Sequence, residues 1–451
     1  MELLEQYTGH FVGLVWGVPL VVALVGSGIL FSFVFGFPQI RFFKHAIDIV
    51  RGKFDRPEDK GEISHFQALT TALSATVGLG NIAGVAIAIS LGGPGAVFWL
   101  WVAGFIGMCT KFVEVTLSLK YRDITPDGKV HGGPMFVIKN ALPKSFYPLA
   151  WAYALFVVLS SIGAGNMFQS NQMANVMQST TGIPPWLSGL IFASLAFVVL
   201  IGGIKRIGKI TAKLVPSMVG VYFAGALFIL FSNIEMIPSL FAQIFHDAFR
   251  GTAAIGGFAG VAFKDVLVMG IRRASFSNEA GMGSAAMAHC AAKSTPVQEG
   301  IVSLLEPFID TIVVCTITAL AILATNVWIN PDIAGSEMTA VAFETVMGPL
   351  GRWIVTLTVT LFAFSTMISW SYYGEQGVTF IAGEKWITTY RYIFVVFIFL
   401  GAILQLTVVL NLSDAFYGLL AVPNLIACYF LLPVLKKMLK NYDFKTGTEI
   451  E

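Results

Sequence analysis

The chain has 451 residues, of which 56% are hydrophobic and only 12% are charged. Soluble globular proteins are about 45–50% apolar and about 25% charged, so this composition excludes an ordinary soluble domain and indicates a protein embedded in lipid. The formal net charge of +2 indicates no particular class of partner. From the composition we expect contact with the lipid bilayer and no nucleic-acid binding.

Apolar runs follow one another along almost the whole chain. A spanning helix needs about 20 mostly apolar residues. We predict eleven such helices, numbered zero to ten, at 12–37, 66–91, 94–121, 146–178, 186–203, 208–232, 252–271, 297–327, 350–376, 389–409 and 413–435. The segments 237–250 and 274–292 have amphipathic patterns typical of the membrane interface, and 337–348 is predicted to be a short loop helix.

Basic residues fall on every second loop of this arrangement. Lys and Arg cluster in 38–65, in 120–145 and after spans four, six, eight and ten; the cluster after span six is Arg272, Arg273 and Lys293. Lys and Arg accumulate on cytoplasmic loops. We therefore predict a multi-pass protein of the plasma membrane, with its N-terminus outside the cell and its C-terminus in the cytoplasm.

Two glycine-rich stretches interrupt predicted spans. One is Gly78–Asn81 in span one, and the other is Gly256–Gly260 in span six. Spans one and six run in opposite directions, and paired interruptions of this kind indicate the binding site of a secondary transporter built from inverted repeats. An unwound turn frees backbone carbonyls for a cation and amide groups for a carboxylate. Close helix packing through small residues is the alternative for span one taken alone.

Polar side chains inside predicted spans are expensive, and we treat them as functional candidates. In span three, Asn166, Gln169 and Gln172 share one helical face beside Gly165, where they either bind a substrate or tie helices together. Asp310 is the deepest acidic residue, and it either ligates a cation or senses a proton. The other ionisable residues at depth are Glu306, the expected pair Lys111 and Glu114, and the expected pair Lys264 and Asp265.

Other classes of membrane protein lack support in the sequence. There is no H-E-x-x-H, no G-x-S-x-G and no G-x-x-x-x-G-K-[ST], so we expect neither an enzyme nor an ATP-driven pump. No filter-like loop or ring of charges indicates a channel. The four cysteines are too far apart for a metal site, and we predict that they are small buried side chains. We expect no organic cofactor and no obligate protein partner.

Three segments make the chain resemble the alanine/glycine:cation symporter family, which has the leucine-transporter fold. They are Thr76–Ala83 (TVGLGNIA), His131–Pro134 (HGGP) and Ser277–Ser284 (SNEAGMGS). The resemblance covers nearly the whole chain and implies an all-α polytopic protein with a 5+5 inverted repeat. The implied units are an extra N-terminal helix at 1–45, a first repeat at 66–232, a second repeat at 237–437 and a cytoplasmic tail at 438–451.

The resemblance also implies a function. It is import of small neutral amino acids, alanine and glycine, driven by a sodium gradient, with a proton-coupled transporter of the same fold as the alternative. Thr76 and Asn81 match part of a second sodium site in relatives. The implied ligands of the first sodium ion are Ser74, Val77, Phe362, Ser365 and Thr366. For the two hydroxyl groups, bonding back to the preceding helical turn is the alternative.

The predicted substrate pocket lies beside these ions. Trp370 is one helical turn beyond Thr366, on the same face, where an indole leaves room for little more than a methyl group. Packing between helices is the alternative for this Trp. We expect Ser275–His289 to be closely packed near the cytoplasmic mouth. The predicted pocket residues are Thr76, Gly78, Gly80, Asn81, Gly165, Asn166, Gln169, Gly257, Phe258 and Trp370.

Overall fold

The structure is a computed structural model of the chain, and it describes residues 2–126, 128–251 and 261–449. These residues are mostly helical. Two short antiparallel hairpins are present, one pairing β1 (Asp123–Ile124) with β2 (Val130–His131) and the other pairing β3 (Tyr442–Asp443) with β4 (Thr448–Glu449).

The helices follow one another with short connections. Those of the N-terminal part are α1 (Glu2–Val15), α2 (Val18–Val34), α3 (Pro38–Arg41), α4 (Phe43–Val50), α5 (His65–Thr76), α6 (Val85–Gly92), α7 (Ala96–Lys120), α8 (Pro134–Ala141), α9 (Tyr147–Ile162), α10 (Phe168–Thr181), α11 (Pro185–Leu200) and α12 (Gly203–Ser232). Those of the C-terminal part are α13 (Ile237–Arg250), α14 (Phe263–Asn278), α15 (Ala286–His289), α16 (Pro296–Ser303), α17 (Leu305–Pro307), α18 (Thr316–Ala324), α19 (Ser336–Met347), α20 (Pro349–Ala382), α21 (Ile387–Ile403), α22 (Leu406–Leu419) and α23 (Ala421–Lys440).

Shorter turns connect or interrupt these helices. Three turns are π-helical, a form that recurs at functional sites; they lie at Gly80–Gly84, Gly163–Met167 and Phe308–Cys315. The 3₁₀ turns are Lys144–Phe146, Ile234–Met236, Val327–Ile329 and Glu384–Trp386. Two of the π-helical turns join successive helices of one span, so the backbone of these spans is irregular at depth.

The multi-pass architecture is confirmed, whereas the count of eleven spans stays a prediction. Within the described ranges, eight helices are long and apolar enough to cross a membrane, and the bent pair His65–Thr76 and Gly80–Gly92 makes a ninth span. The predicted span 186–203 corresponds to the shorter apolar helix Pro185–Leu200. The predicted span 252–271 falls partly outside the described residues, and so does the whole predicted break Gly256–Gly260.

The N-terminal span packs on two separate parts of the bundle. Gly17 precedes α2, which has a proline in its first turn, and this junction separates α2 from α1. α1 packs on α22, and α2 packs on α7. At the junction, the indole of Trp16 donates to the carbonyl of Asp414 at 2.8 Å.

The predicted end of span six is wrong. The prediction placed Arg272 and Arg273 in a cytoplasmic loop, but α14 continues through them to Asn278. Arg273 is buried, and both guanidinium groups pair with the carboxylate of Asp414 on α22. An ion pair with a residue far along the chain makes buried arginines tolerable, and the local sequence does not reveal that partner.

The amphipathic surface predicted for 274–292 is wrong, because residues 273–292 are all buried; the position of this segment at the membrane interface stays a prediction. The close packing expected for Ser275–His289 is confirmed. Where α14 ends, Glu279 adopts a left-handed φ of 59°, and φ is 91° at Gly281 and 73° at Gly283. The chain then resumes helical form as α15. We call residues 279–285 the second break.

Candidate substrate and cation site

The first break, which we define as residues 77–79, lies where α5 ends. Val77 leaves the helix with a ψ of 82°, and the amide of Gly78 donates to Asn81 Oδ1 at 2.9 Å. The two halves of the span meet at a bend of 47°. Every residue from 68 to 89 is buried. Unwound backbone at membrane depth is tolerated only inside protein or beside a cavity, so this break is a place for polar ligands.

Carbonyl and hydroxyl oxygens of α5 and α20 meet beside the first break. The hydroxyl of Thr366 donates to the carbonyl of Ser74 at 2.9 Å. The hydroxyl of Ser365 lies 3.0 Å from the carbonyl of Phe362 and 3.5 Å from that of Ser74. Four of the five predicted sodium ligands are therefore in one place. We call Ser74, Phe362, Ser365 and Thr366 the neutral oxygen site.

Val77, the fifth predicted ligand, is held next to this site by its neighbour Gly78. A Cβ atom added at Gly78 would lie 2.3 Å from Thr366 Oγ1, which no side chain permits. The ψ of 82° at Val77 turns its carbonyl out of the regular helical direction. The glycine thus allows the unwound backbone to approach the hydroxyl of α20.

A second group of oxygens surrounds Asn81. Its side-chain amide donates to the carboxylate of Asp310 at 2.7 Å and to the carbonyl of the same residue at 2.9 Å. The hydroxyls of Ser277 and Thr311 donate to this carboxylate at 2.9 Å and 2.7 Å. Asp310 is fully buried, and among the described residues no Lys, Arg or His pairs with it. We call Asn81, Ser277, Asp310 and Thr311 the charged oxygen site.

The two residues predicted for a second sodium ion differ in their contacts. The Asn81 oxygen accepts the amide of Gly78, and its nitrogen holds Asp310. The hydroxyl of Thr76 donates back to the carbonyl of Ala72 at 3.1 Å, so this side chain is engaged within its own helix. The carbonyl of Thr76 accepts the amide of Gly78 at 2.9 Å, and its second lone pair is the part of this residue that could serve an ion.

Only one amide of the predicted polar face in span three contacts the first break. Gln169 Oε1 accepts the amide of Leu79 at 3.3 Å. Asn166 instead donates to the carbonyl of Phe394 at 2.6 Å, and Gln172 accepts the amide of Ser336 at 3.0 Å. These two amides tie α10 and the π-helical turn before it to neighbouring helices, which is the alternative that the sequence left open.

Trp370 packs against the predicted small residue of span three. A Cβ atom added at Gly165 would lie 2.3 Å from the Trp370 Cβ atom. The indole also packs against Tyr373 and Tyr417, with ring centroids 5.1 Å and 5.8 Å away. Glycine at this position therefore determines how far the indole can withdraw toward span three.

The described part of span six faces the first break through the end of α14. A Cβ atom added at Gly80 would lie 3.0 Å from the Ser277 Cα atom. Phe276 packs against Phe168 and Tyr417, each at 5.3 Å between ring centroids. The predicted residues Gly257 and Phe258 lie outside the described residues. Sequence reasoning missed Phe276, although it directly precedes the motif at Ser277–Ser284.

The expected pairing of Lys111 with Glu114 is wrong. Lys111 Nζ lies 3.1 Å from Glu306 Oε2, whereas Glu114 Oε1 accepts the amide of Gly281 at 2.8 Å and the side-chain amide of Asn424 at 2.6 Å. Helical spacing alone permits the first pair, but the acid on α17 is better placed. Lys264 and Asp265 are both exposed at the start of α14. The four cysteines are buried and unpaired, as predicted.

Two broken segments that meet at a buried polar centre, within a bundle of spanning helices, define a secondary transporter. The overall arrangement is that of the leucine-transporter fold. A solved sodium-coupled sialic acid symporter, in its substrate-bound outward-open state, is similar with a TM-score of 0.56 at 13% identity, over 93% of this chain and 98% of that one.

The chain belongs to the sodium:alanine symporter family, whose family model matches residues 1–450. It is 42% identical over 435 residues to the sodium/alanine symporter AgcS of Methanococcus maripaludis, covering 95% of both chains. It is 36% identical over 447 residues to the probable sodium/glutamine symporter GlnT of Bacillus subtilis, covering 98% of this chain and 91% of that one. The resemblance found in the sequence is confirmed, and the protein is a transmembrane amino-acid symporter.

Proposed function

We propose that the protein imports small neutral amino acids, alanine and glycine, driven by a sodium gradient through alternating access. The observation that carries the proposal is the neutral oxygen site. The similarity to AgcS, a sodium/alanine symporter, supports the same substrate and ion. The probable sodium/glutamine symporter GlnT is a relative of lower identity, so the proposed size of the substrate rests on the pocket of this chain.

The neutral oxygen site fits a weakly held sodium ion. Hard cations prefer oxygen ligands, and a set without formal charge binds them loosely enough for release into the cytoplasm. The carbonyl of Ser74 comes from α5, and the hydroxyls of Ser365 and Thr366 come from α20. Sodium between them would fix the end of α5 and the first break, with Val77 completing the ligands. Ion and substrate would then favour the same conformation, which is thermodynamic coupling.

The charged oxygen site fits a second cation. A buried carboxylate without a cationic partner is costly, and a bound sodium ion would offset that cost. Asp310 and Asn81 would supply side-chain oxygens, and Thr76 would supply its carbonyl. A proton on Asp310 would offset the same cost. A proton-coupled transporter of the same fold is therefore the second candidate function.

The substrate would lie against the first break. The amide groups and carbonyls of the unwound backbone near Gly78 and Gly80 suit the carboxylate and ammonium groups of an amino acid. The side chain would point toward Trp370, whose packing on Gly165 leaves a small pocket. We extend the proposal to the units 66–232 and 237–437 as inverted repeats, and to an extracellular N-terminus and a cytoplasmic C-terminus.

The test is uptake of radiolabelled alanine into proteoliposomes with an inward sodium gradient, a proton gradient or neither. We expect accumulation only with sodium, and a strong loss of it in Thr366→Ala. Thr360→Ala is the matched control, because its hydroxyl bonds back to Thr356 on the same helix away from the site. Accumulation driven by protons alone would favour the second candidate, and equal uptake in all three conditions would contradict coupling.

A further inference from the structure

A series of ionisable side chains in contact with one another lies outside the candidate site. His65 begins α5, and its Nδ1 atom lies 2.5 Å from Glu299 Oε2 on α16. The other oxygen of Glu299 lies 2.7 Å from His289 Nδ1, at the end of α15. His289 Nε2 in turn contacts Glu306 Oε1, and Glu306 Oε2 pairs with Lys111. All five residues are buried, and neither sodium nor substrate contacts are assigned to them.

The geometry at His289 requires an extra proton. Both of its ring nitrogens face carboxylate oxygens, but a neutral imidazole has one N–H and one lone pair. In a neutral ring, the bare nitrogen would meet a carboxylate lone pair inside a fully buried cluster. An imidazolium donates from both nitrogens and removes that repulsion. The two carboxylates have further cationic or donor partners, His65 and Lys111, which favour their ionised forms, so the proton belongs on the ring.

The surrounding charges agree with this assignment. On α7, Lys111 lies among the acids Glu306, Glu279 and Glu114. On the opposite side, Arg122 donates to the carbonyls of Cys290 and Ala292, directly after His289. Near the surface, Asp55 lies 3.5 Å from His65 Nε2, and its side chain is 57% exposed. Acids therefore outnumber the permanently charged bases around the two histidines, which favours bound protons.

We propose that His289 is an internal proton-binding site, an imidazolium held between Glu299 and Glu306 and connected through His65 to the surface at Asp55. The ligand is the proton itself. The site joins α15, directly after the second break, to α5, which carries the sodium ligand Ser74. Separation of α5 from α16 would break the contact between His65 and Glu299 and weaken the hold on the proton. The proposal depends on this geometry and not on the transported substrate.

The direct test is solid-state NMR of the full chain in lipid, with ¹⁵N-labelled histidine and ¹³C-labelled glutamate. His289 is recognised without any mutation, because it is the ring whose two nitrogens both lie next to glutamate carboxyl carbons. At pH 8.5 an ordinary imidazole, with a pKa of about 6.5, is about 99% neutral. We expect imidazolium shifts for His289 at this pH. A neutral ring at pH 8.5 in the folded protein would overturn the proposal.

A second measurement follows stability against pH. A proton bound by the folded state and not by the unfolded chain stabilises the protein at lower pH, and this stability is lost as pH rises. One linked proton changes the unfolding equilibrium by about tenfold per pH unit. We expect His289→Gln to flatten the fall in thermal stability between pH 7 and pH 9. The matched control is His131→Gln, which removes a histidine that faces Glu384 near the surface and should keep the wild-type slope. Equal slopes in wild type and His289→Gln would contradict the proposal.

Discussion

The two oxygen sites beside the first break differ in charge, although the same broken span contributes a residue to each of them. The neutral oxygen site uses carbonyls and hydroxyls of α5 and α20, which already satisfy one another by hydrogen bonds. The charged oxygen site concentrates three side-chain donors on the carboxylate of Asp310. The first site can exist empty at little cost, whereas the second leaves a buried carboxylate without a cationic partner among the described residues.

This difference suggests distinct roles for the two sites. A site that is self-satisfied when empty can bind and release sodium during each cycle. A site with a formal charge favours a cation or a proton in every conformation that keeps Asp310 buried. Substitutions at the neutral oxygen site should therefore lower the affinity for sodium, whereas substitutions at the charged oxygen site should abolish transport.

The largest effect is expected at Asp310. Asp310→Asn keeps the shape and removes the charge that would pair with the proposed cation. We expect alanine uptake to fall by at least about 100-fold, since removing one partner of a buried ion pair costs about 3–5 kcal/mol. Initial rates in proteoliposomes, normalised to protein, measure this. Asp265→Asn is the control, because that carboxylate is exposed on α14. Wild-type uptake by Asp310→Asn would remove the charged oxygen site from the mechanism.

The neutral oxygen site should respond more mildly. Thr366→Ala and Ser365→Ala each remove a hydroxyl proposed to ligate sodium. Interactions with a charged group contribute about 1.5–3 kcal/mol, so the sodium concentration for half-maximal uptake should rise by about 10–100-fold. Sodium titrations of alanine uptake, with expression followed in parallel, measure the shift. If both variants keep the wild-type sodium dependence, α20 does not hold the ion.

The pocket wall should affect selectivity more than overall transport. Trp370→Leu vacates space beside the substrate side chain, so leucine and methionine should gain affinity relative to alanine by about tenfold. Competition binding from glycine to leucine on purified protein measures the order. Trp353→Leu is a matched control, because this indole is exposed on the same helix. An unchanged order of affinities in a folded Trp370→Leu protein would assign the indole to helix packing.

Topology variants should have no effect on transport, and they establish the side from which each site is reached. We expect a cysteine at Asp332 to react with an impermeant thiol reagent in intact cells and a cysteine at Lys53 to remain unlabelled. Both positions are exposed, whereas the four native cysteines are buried. Labelling at Lys53 from outside would reverse the predicted orientation and place the start of α5 on the extracellular side.

Features encoded by local sequence were predictable, and features created by distant partners were not. Composition indicated the membrane, and the glycines at 78 and 80 indicated the first break, because a stretch of apolar residues and a missing Cβ are visible locally. The position of Arg272 and Arg273 inside α14, rather than in a loop, was not predictable, since their partner Asp414 lies on α22. Phe276 and Ser277 were missed as site residues because they follow two consecutive arginines, a pattern that is typical of the end of a span.

The packing of the N-terminal span has a consequence for how the chain is assembled during synthesis. α2 can dock on α7 early, when the chain between them has entered the membrane. α1 cannot pack on α22 until α22 has been synthesised. The indole of Trp16 likewise donates to the carbonyl of a residue 398 positions later in the chain. Contacts between residues far apart in sequence form late, because the intervening loop has to be closed first. α1 thus reaches its final neighbours only after α22 has been synthesised, and a chain that stops before span ten leaves α1 without this packing partner.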